Sequence, residues 1–455
     1  MIEATVSEIE KLLEITSSAN SASTFKGVSI DTRTLQPGNL FVAIKGERVD
    51  GHLYIADAET KGASGLVVER KVDSPLPQII VPNSIAALGQ IATFWRNQFS
   101  LPFIGLTGSN GKTTLKNMVA SILSAECDIS DFVLSTQGNL NNDIGVPLTL
   151  FRLNKRHRYA VIEMGMNHFG EIEYLSKMVR PNIAIITNAA GAHTEFVGNV
   201  EGVARAKSEI FTGLTPDGIA ILNADDAHFE YWHKLIGDHK YITFGLGDTA
   251  HVNSRIVNQS EFVLQTPMGE IFISLSLLGK HNIVNALAAS AAALALGVDL
   301  DVIKTGLENV SAVPGRMHQY HLANNINIID DAYNANPFSL QAAVDTLSVL
   351  PGRKILVLGD MKELGPKENE LHAECGLKIK KAGIDHLLTF GKLSEATSAA
   401  FGANSQHFTQ IDPLVTTLKS LLQNNTTVLV KGSRSMKMEN IIAQIVPKEQ
   451  LHQAH

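Results

Sequence analysis

Cysteine is nearly absent. Cys127 and Cys375 are the only two in 455 residues, far apart and without a C-x-x-C spacing. That excludes a disulfide framework and a thiolate zinc site, and a reducing compartment is expected. Long apolar runs are missing too. The least polar stretch, Ala286 to Val298, is shorter than the roughly 20 residues a membrane-spanning helix needs, so no membrane insertion is expected. The start, MIEATVSEIEKLLEIT, is acidic and amphipathic. It lacks the basic n-region and apolar core of a signal peptide, and a cytoplasmic protein is the expectation. Positive charge is in deficit: 38 Lys and Arg against 45 Asp and Glu leave a net charge of −7. Proteins that live on nucleic-acid phosphates are usually basic, so no nucleic-acid partner is expected. Disorder is excluded by 44% hydrophobic against 18% charged residues.

What is present is a chain with room for roughly three domains at about 150 residues each. Pro82-Asn83-Ser84 and Val313-Pro314-Gly315 interrupt it, giving segments 1–82, 83–312 and 313–455. The first mixes short apolar strands (Leu40 to Ile44, Gly65 to Val68, Gln78 to Val81) with turn signals. In the second, apolar runs at Phe103–Thr107, Tyr159–Glu163, Ile183–Thr187 and Ile219–Asn223 alternate with helical patterns, the signature of a parallel α/β sheet. A second alternating series follows, with strands expected at Lys354–Leu358, His386–Phe390 and Thr427–Val430. The expected fold is therefore α/β in three domains: a small N-terminal one, a central phosphate-loop domain with a parallel sheet, and a Rossmann-like C-terminal one.

The strongest local signal is FIGLTGSNGKTT at 103–114. A strand runs through Thr107, Gly108, Ser109, Asn110 and Gly111 into a helix that opens with Lys112 and Thr113. Such a turn aims backbone N–H groups and a helix N-terminus at an anion, with Lys112 as a point charge and Thr113 as a hydroxyl for Mg²⁺. Leu106 stands where the standard pattern has its first glycine. The loop alone names no reaction, because kinases, motors, switches and ligases share it.

Other polar groups sit at later strand ends. Glu163 closes the run Tyr159–Ile162; it is either an Mg²⁺ ligand or a solvated strand-end carboxylate. His193, in the loop after Ile183–Asn188, is either a metal-side group or simply exposed. Lys207 lies in the helical pattern VARAKSEIF, where a solvated lysine is the ordinary reading.

Together these pieces resemble the Mur ligase family, ATP-dependent amide-forming enzymes of peptidoglycan precursor synthesis. The resemblance spans the chain: TGSNGKTT at 107–114, Glu163, His193, GKHNIVNALAA at 279–289, VPGR at 313–316 and DDAYNANP at 330–337. GNLNNDIGVPLTL at 138–150, VLGDMKELG at 357–365 and KGSRSMKME at 431–439 are similar to the member that adds D-alanyl-D-alanine to UDP-MurNAc-tripeptide. SIDTRTLQPGNLFVAIKGERVDGH at 29–52 resembles the domain that holds the UDP end, which points to Asp31, Thr32 and Arg33.

The resemblance implies ATP and Mg²⁺ as cofactors, with UDP-MurNAc-tripeptide and D-alanyl-D-alanine as small-molecule partners of a monomer. Lys112 and residues 107–113 would cradle the phosphates, with Thr113 and Glu163 on Mg²⁺. His193 would serve a second metal site, and Lys207 matches the lysine carbamylated in this family. Asn285 would read the adenine, Arg316 contact phosphate, Asp331 hold the ribose and Tyr333 lie against the base. Asn139 would face the other substrate, and Ser433 and Arg434 the dipeptide. Read as residues alone, Asn285 is equally a helix-surface amide, Arg316 a linker residue, Asp331 a strand terminus and Ser433-Arg434 a helix entry. Two other functions fit parts of the pattern. A ligase adding the third amino acid would carry a DNPR-like motif, which is missing; a nucleotide-switched binding protein leaves the first domain without a task.

Overall fold

Three mainly parallel sheets follow one another along the computed structural model, which describes residues 1–15, 23–127, 129–190 and 197–451. The first is four-stranded, in the order Val28–Ser29, Leu40–Val42, Gly65–Val68, Gln78–Ile80. The chain leaves it at Asn83, whose side chain accepts from the Ala86 amide at 2.8 Å and caps the helix Ser84–Arg96. Glu69, one residue past the third strand, accepts from the Ser84 amide and hydroxyl, both at 2.9 Å. The linker is thus tied at both sides, and the helix packs against the helices Gly145–Leu150 and Glu171–Val179 of the second domain, with Arg96 over the Phe103 ring of its sheet.

That second sheet has six parallel strands in the order Lys240–Phe244, Ile219–Asn223, Ile183–Ile186, Phe103–Thr107, Tyr159–Glu163, Val133–Ser135. The four runs expected from sequence are its interior strands. They are buried on both faces, so they read as unbroken apolar runs. Phe103–Thr107 is flanked by Tyr159–Glu163 on one side and Ile183–Ile186 on the other: the chain builds the first side with Val133–Ser135 and Tyr159–Glu163, then crosses over to the second. A crevice opens at the carboxyl ends of such strands. The two outer strands and an antiparallel meander, Asn253–Ile256, Glu261–Thr266 and Gly269–Ser274, were not legible. The meander buries Phe262, Leu264 and Ile273 and exposes the alternate face, so it carries no continuous apolar run.

Behind the sheet, the helix Lys112–Glu126 is gripped by two others. A Cβ on Gly306 of Leu300–Glu308 would stand 2.3 Å from the Ile122 Cα, so these two backbones touch. The Ala-rich helix Lys280–Ala295 is buried along Ala286–Ala293. Small side chains allow that approach and hold the helix Lys112–Glu126 rigid.

The third sheet runs His318–Leu322, Ile326–Asp331, Thr426–Lys431, Arg353–Gly359, His386–Phe390, Ser405–Phe408, with only the first strand antiparallel. Among the described residues no helix is long and apolar enough to cross a membrane.

Candidate active site

The loop 107–111 has a shape only glycine allows at two points. Gly108 has φ +154°, and a Cβ there would lie 1.7 Å from Thr187 Oγ1. Gly111 has φ +84°, and its Cβ would meet Asn285 Oδ1 at 2.5 Å. The loop is pressed against the next strand end and laced to it. The Ser109 amide donates to the Asn188 carbonyl at 3.0 Å and the Asn110 amide to Asn188 Oδ1 at 3.1 Å. Ser109 Oγ donates to the Ala190 carbonyl at 3.1 Å. Those two loop amides are therefore engaged within the protein. The amides of the first helical turn, Lys112 to Thr114, have no carbonyl one turn back and face the cleft as anion donors.

Lys112 Nζ lies 2.6 Å from the Gly108 carbonyl, folded over its own loop. Burial lowers its pKa from the usual lysine range, and the Glu163 charge opposes that. Glu163, 2% exposed, accepts from Thr113 Oγ1 at 3.0 Å with one oxygen and from Asn141 Nδ2 at 2.8 Å with the other. Each oxygen keeps a lone pair directed elsewhere. Lys207 is 1% exposed, no helix-surface lysine at all. Burial, and secondarily the Lys112 charge, push its ammonium well below the ordinary lysine range. His193 lies outside the described residues.

The opposite wall comes from the third sheet. The Arg316 guanidinium sits 4.0 Å over the Tyr333 ring. Asp331 accepts from Lys431 Nζ at 2.5 Å, and Lys431 also donates to the Asn334 carbonyl at 2.9 Å. The neighbouring Asp330 is buried; burial raises its pKa against two amide bonds, from Ala332 and Gly315. Gly315 also accepts from the Tyr333 amide at 3.0 Å, so Val313-Pro314-Gly315 is stitched to the third sheet at its last residue. Both walls enclose one cleft of about 820 Å³, lined among others by Lys112, Glu163, Asn285, Arg316, Asp331 and Tyr333.

Comparison with known proteins agrees with this geometry. The family described as "Mur ligase middle domain" matches residues 106–293, "Mur ligase, glutamate ligase domain" 315–434, and "Mur ligase family, catalytic domain" 24–95. The chain is 46% identical over 426 residues to the UDP-N-acetylmuramoyl-tripeptide--D-alanyl-D-alanine ligase of Escherichia coli strain K12, covering 92% of this chain and 93% of the relative. The chain belongs to the Mur ligase family. The ligase of the same name from Bacillus subtilis strain 168 is 34% identical, covering 98% and 99%. A crystal structure of MurF from Acinetobacter baumannii superposes with TM-score 0.91 at 36% identity, covering 98% and 99%. The Thermotoga maritima MurF ligase in complex with ADP gives TM-score 0.83 at 25% identity, covering 94% and 99%.

In this Mur ligase the remaining expected residues fall in three places. Asn139 is exposed on the same cleft, beside Asn141. Asp31, Thr32 and Arg33 lie on the first sheet's side, away from the cleft lining. The Arg33 guanidinium, then its amide, hold Asp31 down to about 2, while the Thr32 carbonyl accepts from Lys61 at 2.7 Å. Ser433 and Arg434 do not line the cleft either. The Ser433 hydroxyl accepts from the Lys362 amide at 2.8 Å, and Arg434 pairs with Glu439 at 3.0 Å. Residues not singled out from sequence complete the site: Asn188 as the loop's scaffold, Asn141 on Glu163, Lys431 on Asp331, and Asn336. Asn141, Lys431 and Asn336 all sit inside motifs already noted, so the signal was the motif; its internal division of labour was not readable.

Proposed function

We propose that this chain is an ATP-dependent ligase that joins D-alanyl-D-alanine to UDP-N-acetylmuramoyl-tripeptide through an acyl phosphate. The observation that carries this is the single cleft with an anion-binding loop and carboxylate on one wall and Arg316, Asp331 and Tyr333 on the other. The similarity to the E. coli and B. subtilis ligases supports the choice of substrates. Domain boundaries at 82/83 and 312/313 follow the linkers. Residues 1–82, with Asp31, Thr32 and Arg33, hold the UDP end; 83–312 hold ATP; 313–455 present the dipeptide, with Ser433 and Arg434 shaping that side.

An anionic carboxylate must approach the terminal phosphate, and repulsion is the first barrier. Lys112, the first-turn amides and Arg316 offset it. Lys112 leaves the Gly108 carbonyl for a phosphate oxygen, since a charged acceptor binds an ammonium more strongly than a neutral one. Asn285 and Tyr333 hold the base and Asp331 the ribose, fixing the phosphate chain. Asn139 orients the carboxylate substrate. The carboxylate oxygen bonds to the terminal phosphorus as the bond to ADP breaks, giving the acyl phosphate. The dipeptide amine then attacks the acyl carbon, phosphate leaves and the nitrogen gives up a proton, while enclosure between the walls keeps water from that carbon.

The donor set fits Mg²⁺. Glu163 and the Thr113 hydroxyl lie 3.0 Å apart with lone pairs open, all hard oxygen. When bound there, Mg²⁺ would neutralise phosphate charge and polarise the bond to be broken. Lys207 and His193 would serve a second such site. Burial favours the neutral form of Lys207, the form whose nitrogen adds to CO₂ and loses a proton, leaving an anionic carbamate.

The deciding experiment is phosphate release from ATP with UDP-MurNAc-tripeptide, with and without D-alanyl-D-alanine. Release should require the dipeptide; dipeptide-independent turnover would sink the assignment. For Lys207, activity of a folded Lys207→Ala variant should return with a small carboxylate.

A further inference from the structure

One hydrogen bond joins the phosphate loop to the third domain across 226 residues: Asn336 Nδ2 donates to Asn110 Oδ1 at 2.9 Å. Its direction is not free. Asn336 is the N-cap of the helix Pro337–Ser348, and its Oδ1 accepts from the Ser339 amide at 2.8 Å. The Asn336 amide in turn bonds Ser339 Oγ at 3.1 Å, closing a capping box. A carboxamide has one accepting end and one donating end. With the oxygen end committed to the cap, only the nitrogen end is left for Asn110. Asn110 must therefore turn its oxygen toward Asn336 and its nitrogen away.

That nitrogen is the unusual atom. Asn110 Nδ2 is buried and has no hydrogen-bond partner among the described residues. A buried donor without an acceptor is costly, and such groups are rare unless a ligand completes them. The rest of Asn110 is fully occupied: its amide on Asn188 Oδ1 at 3.1 Å, its carbonyl accepting from Thr187 Oγ1 at 2.6 Å and Asn188 Nδ2 at 3.2 Å. These bonds fix the backbone of Asn110, so the one freedom left is which way its carboxamide faces, and Asn336 sets that. The residue lies on the cleft wall, next to the Gly111-Lys112 turn.

Resting on the ATP reading above, we propose that Asn336 is a positioning residue. By capping its own helix it sets the polarity of the Asn110 carboxamide, so that Asn110 Nδ2 donates to the terminal phosphate of ATP. The donor is set while the third domain is in place, which links domain docking to phosphoryl transfer through two amides and one helix cap.

The test is calorimetry on the full chain with ADP and with a non-hydrolysable ATP analogue. Asn336→Ser keeps a capping side chain, is too short to reach Asn110, and controls for folding. Asn336→Asp keeps the cap but turns the donor into an acceptor, which reverses Asn110. Asn336→Asp should weaken the analogue about tenfold or more relative to ADP, and Asn336→Ser several-fold, about the effect of one hydrogen bond to a charged group. In an Asn110→Ala background both losses should shrink to less than about twofold. If the Asn336→Asp loss keeps its full size there, the aspartate repels phosphate directly and the relay is wrong. Equal loss for ADP and analogue, or none, overturns it too. A wild-type chain that binds neither nucleotide sinks the ATP reading and the relay together; normal binding with indifferent variants sinks the relay alone.

Discussion

Glu163 and Asp360 occupy the same place in two sheets: an acidic residue at the carboxyl end of an interior parallel strand, 2% exposed in each case. Their surroundings differ. Asp360 accepts from the Leu393 and Ser394 amides, both at 2.9 Å, with one oxygen; the other takes the Lys392 amide at 3.0 Å and Lys362 Nζ at 3.3 Å. All four acceptor positions of the carboxylate are filled. Burial pushes its pKa up, yet the amides outweigh that and hold it below the usual range. It fastens the N-terminus of the helix Ser394–Phe401, where an anion complements the helix dipole. Glu163 has two described partners, Thr113 and Asn141, and capacity left over. Strand-end position makes a carboxylate available; the number of donors already gathered around it decides between a fastener and a site.

Substitutions can break this contrast, and the largest effect should come from Glu163→Gln. Gln keeps the size and the Thr113 and Asn141 neighbours but loses the charge. Turnover should fall about 10²- to 10³-fold with an unchanged melting curve. A loss of stability instead would make Glu163 a fastener after all. Asp360→Asn should do the reverse, lowering stability by about 2–4 kcal/mol, because an NH₂ then faces amide donors. Activity of the folded fraction should stay within about threefold, read by denaturant titration alongside initial rates. Thr113→Val, which removes one of the two proposed oxygen donors, should raise the Mg²⁺ concentration needed for half-maximal rate about tenfold or more.

The smallest effect concerns pH. His372 Nε2 accepts from the Met361 amide at 3.0 Å, directly after Asp360, and Nδ1 donates to the Glu368 carbonyl at 2.7 Å. Burial lowers its pKa from 6.5, with Lys362 adding to that and Glu368 and Asp360 opposing. A histidine held neutral in the fold contributes stability above its unfolded pKa. That contribution fades as pH falls through about 6.5 toward the folded value, by no more than about 1.4 kcal/mol per pH unit. Unfolding measured from pH 7.5 to 5.0 should be less acid-sensitive in His372→Gln than in the wild type. An identical pH slope would remove this residue from the fastener.

Much of this contrast was out of reach of sequence reading. Interior strands such as Phe103–Thr107 and Tyr159–Glu163 were legible because burial on both faces demands unbroken apolar runs. The meander at 253–274 and the edge strand His318–Leu322 were not, because one polar face dilutes the pattern. Glu163 was recognisable by its place after a strand. Lys207 shows the limit: helical periodicity gave it a solvated face, whereas it is 1% exposed because the helix Val200–Ser208 turns that side inward. The roles of Asn336, inside a noted motif, and of Asn188 were unreadable for another reason, since they lie in contacts between segments tens to hundreds of residues apart.

The fold of Lys112 over the Gly108 carbonyl carries a consequence for ligand choice. A loop that already satisfies its own cation presents incoming molecules with a threshold. Neutral ligands gain little by dislodging the ammonium from one oxygen to place it on a similar one, while each phosphate offers a stronger acceptor. Affinity along the series adenosine, AMP, ADP, ATP should then climb in a step where the lysine first changes hands, so that a lysine folded over its own loop acts as a filter against uncharged ligands.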